Sequence, residues 1–354
     1  MEPEKMKAQV FHGAGDLRYE DLPQPNASEG EVILAVKAVG LSPLDLCRLR
    51  VPELDEPFVL GREIAGTIVE VGPNVQSWRV GQRVATLAHV PCMRCLACLE
   101  DRFSACPTYQ AHTTTAGLTP SGGGFAEFVK VPRYLVEHGG LVALPGHITF
   151  ERACFLQPIN SLLHGFARLN LQPQQRVWIL GAGSLGAIAI LLAQRLGLQP
   201  LVSDRNPQRL DAALDLGAKA AFNSNSDDLH TKVRAFTDGE GVDGALLTEP
   251  QGWDIMQALD GTRPGGKLLC LTDYADPSSV PLDPLAFARR QIDLLGCSGL
   301  SPRQQSRSLT YLFDHHLPLE RTISDRVPLA ELASLLERLQ HPNSDSRKIL
   351  LYPS

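Results

Sequence analysis

The sequence lacks an apolar run long enough to cross a membrane, and MEPEKMKAQV at its start lacks the apolar stretch of a signal peptide. It also lacks a strong excess of basic charge, since 33 Lys and Arg residues face 39 Asp and Glu residues. It shows no internal repeat and no low-complexity segment. These absences argue against a membrane protein and against nucleic acid as the main partner. We therefore expect a cytoplasmic globular protein.

What the sequence does contain is enough apolar chain for about two domains. It has 354 residues, of which 44% are hydrophobic and 20% charged. Of its eight cysteines, four fall between residues 92 and 106 and the others are scattered. Without a secretory signal, this distribution does not predict a disulfide framework.

The pattern of strands and helices changes near residue 150. Before it, short β-like runs such as EVILAVKAVG alternate with glycine and proline turns, which predicts an antiparallel, barrel-like β domain. After it, strand and helix patterns alternate, which predicts βαβ units and a parallel sheet. The strands predicted for this sheet are 176–183, 198–204, 242–249, 265–273 and 292–299, with helices at 184–197 and 207–217. A helix at 329–339 and a final strand at 348–352 are predicted in the remaining residues.

A glycine motif, GAGSLG, stands between the first of these strands and the first helix. Glycines at this spacing permit a tight turn and let a pyrophosphate approach the helix N-terminus, so the motif predicts a dinucleotide site. The candidate cofactor-binding residues in the motif are Gly181, Gly183, Ser184, Leu185 and Gly186.

An acidic residue, Asp204, ends the next predicted strand, 23 residues after Gly181. A carboxylate there suits the ribose hydroxyls of NAD and repels the 2′-phosphate of NADP. Arg205 leaves NADP open, because an arginine can hold a 2′-phosphate. We expect NAD, with Thr248 and Thr272 near the ends of later strands as further cofactor-binding candidates.

Four cysteines follow the spacing C-x2-C-x2-C-x7-C and are candidate metal ligands. Four thiolates so close in sequence suit a closed tetrahedral zinc site, which stabilises structure and does no catalysis. The main alternative is an iron–sulfur cluster. The four residues are Cys92, Cys95, Cys98 and Cys106.

Together these segments resemble the medium-chain dehydrogenase/reductase superfamily, in its zinc alcohol dehydrogenase branch. The resemblance runs through GEVILAVKAVG, GTIVEVGPNVQSWRVGQRV, the cysteine segment, GGGFAEFVKVP and GAGSLG. It implies a GroES-like catalytic domain over 1–150, to which 300–354 return, and a Rossmann domain over 151–299. It also implies an NAD(P)-dependent oxidoreductase acting on a small alcohol or carbonyl, with one structural zinc per chain and a homodimer or homotetramer. Strand 292–299 is the expected subunit contact.

The ligands of the family's catalytic zinc are replaced at all three positions. The family's histidine in G-H-E becomes Arg62, beside the retained Glu63. Its cysteine ligand becomes Ser42, and Gln157 stands in the segment that supplies the third ligand. An arginine repels Zn²⁺, and serine and glutamine bind it poorly. The resemblance thus implies a retained structural zinc and a lost catalytic zinc; a rescued site using Cys47 and Glu63 is the alternative.

Arg62 is the candidate replacement for the lost metal, as a donor to a substrate oxygen. The alternative is a structural arginine paired with Asp45. GLSPLD also resembles G-x-N-P-x-D of zinc-free quinone and enone reductases, so Ser42 and Asp45 are catalytic candidates as well. A third possibility is a non-catalytic dinucleotide-binding sensor or scaffold. For His89 and His164 we expect structural roles.

Overall fold

The computed structural model describes residues 4–50, 56–226, 228–248, 254–271, 282–341 and 344–353, so Thr272 lies outside the described residues. The strands are β1 (Lys5–Gly13), β2 (Asp16–Pro23), β3 (Val32–Leu41), β4 (Phe58–Val59), β5 (Glu63–Val71), β6 (Arg83–Thr86), β7 (Phe128–Val131), β8 (Leu141–Ala143), β9 (Arg176–Leu180), β10 (Gln199–Asp204), β11 (Ala220–Asn223), β12 (Val242–Leu247), β13 (Thr262–Leu271), β14 (Asp293–Cys297), β15 (Ile323–Pro328) and β16 (Lys348–Tyr352).

The α-helices alternate with strands mainly in the second half of the chain. They are α1 (Pro43–Arg48), α2 (Leu96–Leu99), α3 (Pro107–Ala111), α4 (Arg133–Glu137), α5 (Phe150–Ala153), α6 (Leu156–Leu169), α7 (Ser184–Arg195), α8 (Pro207–Asp215), α9 (Leu229–Phe236), α10 (Asp254–Gly261), α11 (Pro284–Arg290), α12 (Gln305–Phe313) and α13 (Leu332–Leu339). Among the described residues, no helix is long and apolar enough to span a membrane.

A parallel sheet with the order β11-β10-β9-β12-β13-β14 forms one half of the protein, which we call the Rossmann half. Its central strands are buried on both faces, as their continuous apolar runs require. The chain order reverses between β9 and β12, and ligands of such sheets bind at the carboxyl ends of strands beside that reversal. GAGSLG follows β9, so the fold places the glycine motif at this point.

A largely antiparallel sheet with the order β15-β16-β3-β5-β6-β8 forms the other half, with β7 paired to β3. A smaller sheet, β2-β1-β4, packs beside it. The C-terminal strand β16 pairs with β3, with Ile349 opposite Leu41. The last strands of the chain therefore complete a sheet begun near its start. The α/β fold class expected from the sequence, a β-barrel domain plus a doubly wound domain, is confirmed.

Helix α6 is the longest of several described helices, among them α9, α10, α11 and α12, that the strand and helix patterns of the sequence did not predict. Its 14 residues, Leu156–Leu169, are mostly buried and include Asn160 and His164. It packs against α7, α12 and β13 on the parallel-sheet side, while Gln157 bonds to the carbonyls of Arg62 and Thr86 in the other half. Gln157 in its first turn therefore reaches the space between the two halves.

Candidate functional site

A cleft lies where the two sheets meet, and it contains about 630 Å³ of empty space when its open mouth is counted. One wall comes from the antiparallel half and α6, and the other comes from the Rossmann half. The side chains that line the cleft include Ser42, Arg62, Glu63, His89, Tyr109, Gln157, Leu185 and Leu300.

Ser42 and Asp45 form the cap of helix α1. The backbone N–H of Ser42 donates to the Asp45 carboxylate at 2.9 Å, and the backbone N–H of Asp45 donates to the Ser42 hydroxyl oxygen at 3.2 Å. The Ser42 hydroxyl also donates to that carboxylate, at 2.6 Å. The other Asp45 oxygen accepts the Gly61 N–H at 3.3 Å, and Asp45 is fully buried. This reciprocal bonding is a capping box. Asp45 therefore anchors the loop before Arg62 and does not reach the cleft.

Glu63 points away from Arg62 and into the protein, where it pairs with Lys348 on β16. Both side chains are almost completely buried. A Cβ at Gly40 would stand 2.1 Å from the Glu63 carboxylate and 2.4 Å from the Lys348 nitrogen, so glycine makes room for the pair. Burial raises the pKa of Glu63, although the charge of Lys348 opposes that shift.

Gln157 is committed to backbone contacts. Its amide nitrogen donates to the carbonyl of Arg62 and, at 3.3 Å, to the carbonyl of Thr86. The amide nitrogen of Gln157 donates in these bonds and offers no electron pair to a metal, and an amide oxygen is a poor ligand for zinc. Gln157 therefore holds the backbone of the Arg62 segment in place.

Arg62 lies half-buried on the cleft wall. Its guanidinium donates to Nε2 of His89, at 3.4 Å. In the described parts of the chain, no carboxylate forms an ion pair with it, so the expected alternative of an Arg62–Asp45 pair is not observed. Burial and the neighbouring charge of Arg62 lower the pKa of Arg48. Because Arg62 lines the cleft and no described carboxylate forms an ion pair with it, this wall of the cleft carries positive charge.

The four clustered cysteines bring their sulfur atoms within 4.8 Å of one another. The individual separations include 3.5 Å from Cys95 to Cys98, 3.6 Å from Cys92 to Cys106 and 4.0 Å from Cys92 to Cys98. Four Zn–S bonds of about 2.3 Å in a tetrahedron put the sulfurs about 3.8 Å apart. These side chains, which we call the cysteine lobe, fit a closed zinc site.

The glycine motif has the backbone that a dinucleotide requires. Gly181 has a φ of +101°, and a Cβ at Gly186 would stand 1.9 Å from the Gly181 carbonyl oxygen. Helix α7 begins at Ser184, directly after Gly183, so its first N–H groups face the space above β9.

Asp204 and Thr248 hold this glycine loop in place. The Asp204 carboxylate accepts the N–H of Ala182 at 2.8 Å and that of Asn206 at 2.8 Å. The Thr248 hydroxyl donates to the carbonyls of Leu180 and Gly181 at 2.9 and 3.1 Å. Asp204 is thus fixed at the end of β10, with exposed Arg205 beside it. Thr248 supports the loop from β12.

Comparison with known proteins agrees with this architecture. Residues 28–139 match the alcohol dehydrogenase GroES-like domain, and residues 184–313 match the zinc-binding dehydrogenase family. Sorbitol dehydrogenase of Bacillus subtilis (strain 168) is 30% identical over 358 residues, covering 99% of this chain and 98% of the relative. The chain belongs to the medium-chain dehydrogenase/reductase superfamily.

Other members show the same likeness. L-idonate 5-dehydrogenase of Vitis vinifera is 30% identical, covering 80% of this chain and 77% of the relative. Among solved structures, alcohol dehydrogenase TADH from Thermus sp. ATN1 has a TM-score of 0.84 at 26% identity, covering 99% of this chain and all of that one. Galactitol-1-phosphate dehydrogenase from Escherichia coli has a TM-score of 0.85 at 25% identity, covering 98% and 100%. The protein is an NAD(P)-dependent dehydrogenase of the alcohol dehydrogenase-like type.

The zinc alcohol dehydrogenases of this superfamily also use a catalytic zinc, and the cleft fits one poorly. Arg62 is a cation, Gln157 faces carbonyl oxygens, and Glu63 is held by Lys348. In the described part of the chain, three or more potential ligand atoms come together at the cysteine lobe alone. The alternative site of Cys47 with Glu63 is therefore not assembled.

Three cleft features were missed from the sequence. Lys348 could have been suspected, because a lysine opens an otherwise apolar strand, KILLY. The stacking of His89 on Tyr109, with ring centroids 5.0 Å apart, has no sequence signal. The hydrogen bond from the Leu300 N–H to the Tyr109 hydroxyl, at 2.9 Å across the cleft, also has no signal in the sequence.

We predict about one zinc per chain, bound by the cysteine lobe. Cys98→Ser should lose that zinc and loosen the lobe, because it removes one thiolate of a closed site whose metal supplies folding free energy. Metal analysis and thermal unfolding would measure both effects. Cys47→Ser is the control and should keep its zinc. Two tightly bound zincs per chain, or zinc loss in Cys47→Ser, would contradict the prediction.

Proposed function

We propose that this protein transfers hydride between a nicotinamide cofactor and a small alcohol or carbonyl compound without a catalytic zinc. The observation that carries the proposal is the position of Arg62, which lines the cleft while no described carboxylate pairs with it. Its neighbours at the other ligand positions, Ser42 and Gln157, are engaged in bonds that hold backbone in place. Arg62 thus offers a fixed positive charge where relatives hold a metal ligand.

In this proposal the cofactor supplies or accepts the hydride, and the residues of the chain position the substrate. Arg62 donates hydrogen bonds to a substrate oxygen on which negative charge builds during transfer. A preorganised donor at such a position stabilises the transition state more than the ground state. Leu185 and Leu300 exclude water on the Rossmann side of the cleft. Asp45 and Gln157 hold the backbone around Arg62 in place through hydrogen bonds to Gly61 and Arg62.

We propose a substrate class on the basis of the compounds for which the relatives are named. The relatives include dehydrogenases named for sorbitol, L-idonate and D-arabitol-phosphate. Each name denotes a polyhydroxylated chain, and two of the three denote anions. A positively charged cleft suits a hydroxylated compound that carries a carboxylate or phosphate.

A second candidate is reduction of a carbon–carbon double bond conjugated to a carbonyl. It is favoured by the segment Ser42–Asp45 at the start of α1, whose sequence resembles that of zinc-free enone reductases. Charge then builds on an enolate oxygen, and hydrogen bonds from Arg62 can stabilise it.

The test is a hydride-transfer assay with NADH and NADPH and their oxidised forms. The panel contains sorbitol, D-fructose, L-idonate, pyruvate, D-glyceraldehyde 3-phosphate and 2-cyclohexen-1-one. We expect turnover with at least one compound. We also expect NADH to bind at least as tightly as NADPH, because the carboxylate of Asp204 repels a 2′-phosphate. Tighter NADPH binding would show that Arg205 outweighs Asp204. Cofactor binding without turnover of any compound would favour a non-catalytic sensor.

We also propose a homo-oligomer that joins subunits along β14. This strand ends the parallel sheet among the described strands, and its Leu294 is 41% exposed. An apolar sheet edge is a hazard unless it is covered. We predict a mass of two or four chains at micromolar concentration, and a shift toward monomer in Leu294→Lys. The control is Leu214→Lys, on the exposed face of α8, which should leave the mass of the oligomer unchanged. A monomeric wild type would refute the proposal.

A further inference from the structure

His89 lies between the cysteine lobe and Arg62, and both of its ring nitrogens have partners. Nδ1 lies 3.0 Å from the carbonyl oxygen of Tyr109, and Nε2 lies 3.4 Å from the guanidinium of Arg62. The ring stacks on Tyr109, with centroids 5.0 Å apart and planes tilted by 22°. Tyr109 in turn follows Cys106 in helix α3, and its N–H donates to the Cys106 carbonyl at 3.0 Å.

These partners fix the state of the imidazole. A carbonyl oxygen only accepts hydrogen bonds, so Nδ1 carries the proton and donates a hydrogen bond to the backbone carbonyl of Tyr109. A guanidinium only donates, so Nε2 presents its lone pair to Arg62. Burial and the charge of Arg62 agree with this neutral form, since they lower the pKa of His89 to about 4.

We propose that His89 is a positioning residue: it holds the Arg62 guanidinium in the cleft as a neutral acceptor and leaves the arginine's charge available to the substrate. A carboxylate in the same place would also hold Arg62, but it would cancel the charge that the substrate is meant to meet. The inference rests on the proposed role of Arg62 and adds the residue that orients it.

A positioning role separates His89 from the two other roles that its location permits. As a general base it would need a free nitrogen lone pair facing the substrate, but the Nε2 lone pair is used by Arg62. As a purely structural residue it would serve the stacking contact with Tyr109, and an aromatic ring without an acceptor would do equally well. The variants below use that difference.

The experiment compares His89→Phe, which keeps a ring against Tyr109, with His89→Gln, whose amide oxygen can still accept from Arg62. Activity is measured with the panel compound that the wild type turns over fastest. We expect His89→Phe to lower kcat/KM by about 10- to 100-fold, the usual size of a lost hydrogen bond to a charged group. His89→Gln should recover most of this loss. The melting temperature and NADH affinity of both should stay near those of the wild type.

A double-mutant cycle with Arg62→Ala decides whether His89 acts through Arg62. In the Arg62→Ala background, His89→Phe should cause little further loss, because the group that it positions is gone. Equal losses in both backgrounds, or a His89→Gln variant as impaired as His89→Phe, would overturn the inference. If Arg62→Ala itself leaves turnover intact, the proposed function fails instead. If Arg62→Ala loses turnover but the His89 variants keep wild-type turnover, only the positioning role of His89 fails.

Discussion

Arg62→Ala is expected to lower turnover by about 10²- to 10³-fold, as loss of one preorganised donor often does. The variant removes the cation on the cleft wall that no described carboxylate neutralises, and it leaves the glycine motif untouched. Affinity for NADH, measured by fluorescence titration, should therefore change little. Steady-state kinetics with the active panel compound would measure the loss of turnover.

Two further variants of Arg62 separate charge, geometry and metal binding. Arg62→Lys keeps the charge but loses the planar fork of donors, so we expect partial activity. Arg62→His restores the residue that relatives use as a zinc ligand. It should not create zinc-dependent activity, because Ser42 bonds to Asp45 and Gln157 bonds to backbone carbonyls.

Arg48→Ala is the matched control, since Arg48 is a nearby cation whose guanidinium lies 5.5 Å from the Phe58 ring, outside the cleft lining. It should leave most of the turnover intact. If Arg62→Ala keeps its turnover and loses thermal stability, Arg62 is a structural residue and the catalytic proposal is wrong.

The sequence was sufficient for the parts of the molecule that depend on local pattern. The glycines of GAGSLG could be interpreted because a strand precedes them and a helix follows, and the structure has β9 and α7 at those places. The four cysteines could be interpreted because a closed zinc site needs four thiolates that can converge, and their sulfurs do converge. In both cases the chemistry lies within a short segment.

The interactions that decide the roles of Arg62 and Glu63 depend on residues far apart in sequence. Glu63 meets Lys348 only because β16 pairs with β3 beside β5. Arg62, just before β5, meets His89, which follows β6 and lies 27 residues further along the chain. Alternation of side chains along an extended chain allowed either residue to face inward. Glu63 faces inward because its partner Lys348 lies there, and Arg62 faces the cleft, where its partner His89 lies.

Lys348→Met is expected to destabilise the protein by about 3 to 5 kcal/mol, the usual cost of leaving one member of a buried ion pair without its partner. Lys348 is fully buried and Glu63 nearly so, which leaves little access for water to stabilise the orphaned carboxylate. Chemical denaturation followed by circular dichroism would measure the change in the free energy of unfolding. The double variant Glu63→Leu/Lys348→Met removes both charges and should regain most of the loss.

The deficit of Lys348→Met should also depend on pH, and the sign follows from Glu63. Burial already raises the pKa of Glu63 in the folded protein, and removing Lys348 takes away the charge that opposes the shift. The folded variant then binds the Glu63 proton more tightly than the unfolded chain does, so its stability falls as pH rises from the ordinary glutamate value toward the raised pKa. We expect the deficit to be small near pH 4 and largest at neutral and alkaline pH. A deficit independent of pH would mean that the loss comes from packing of the lysine chain near Phe155, where its nitrogen lies 5.5 Å from the ring, and not from the buried charge.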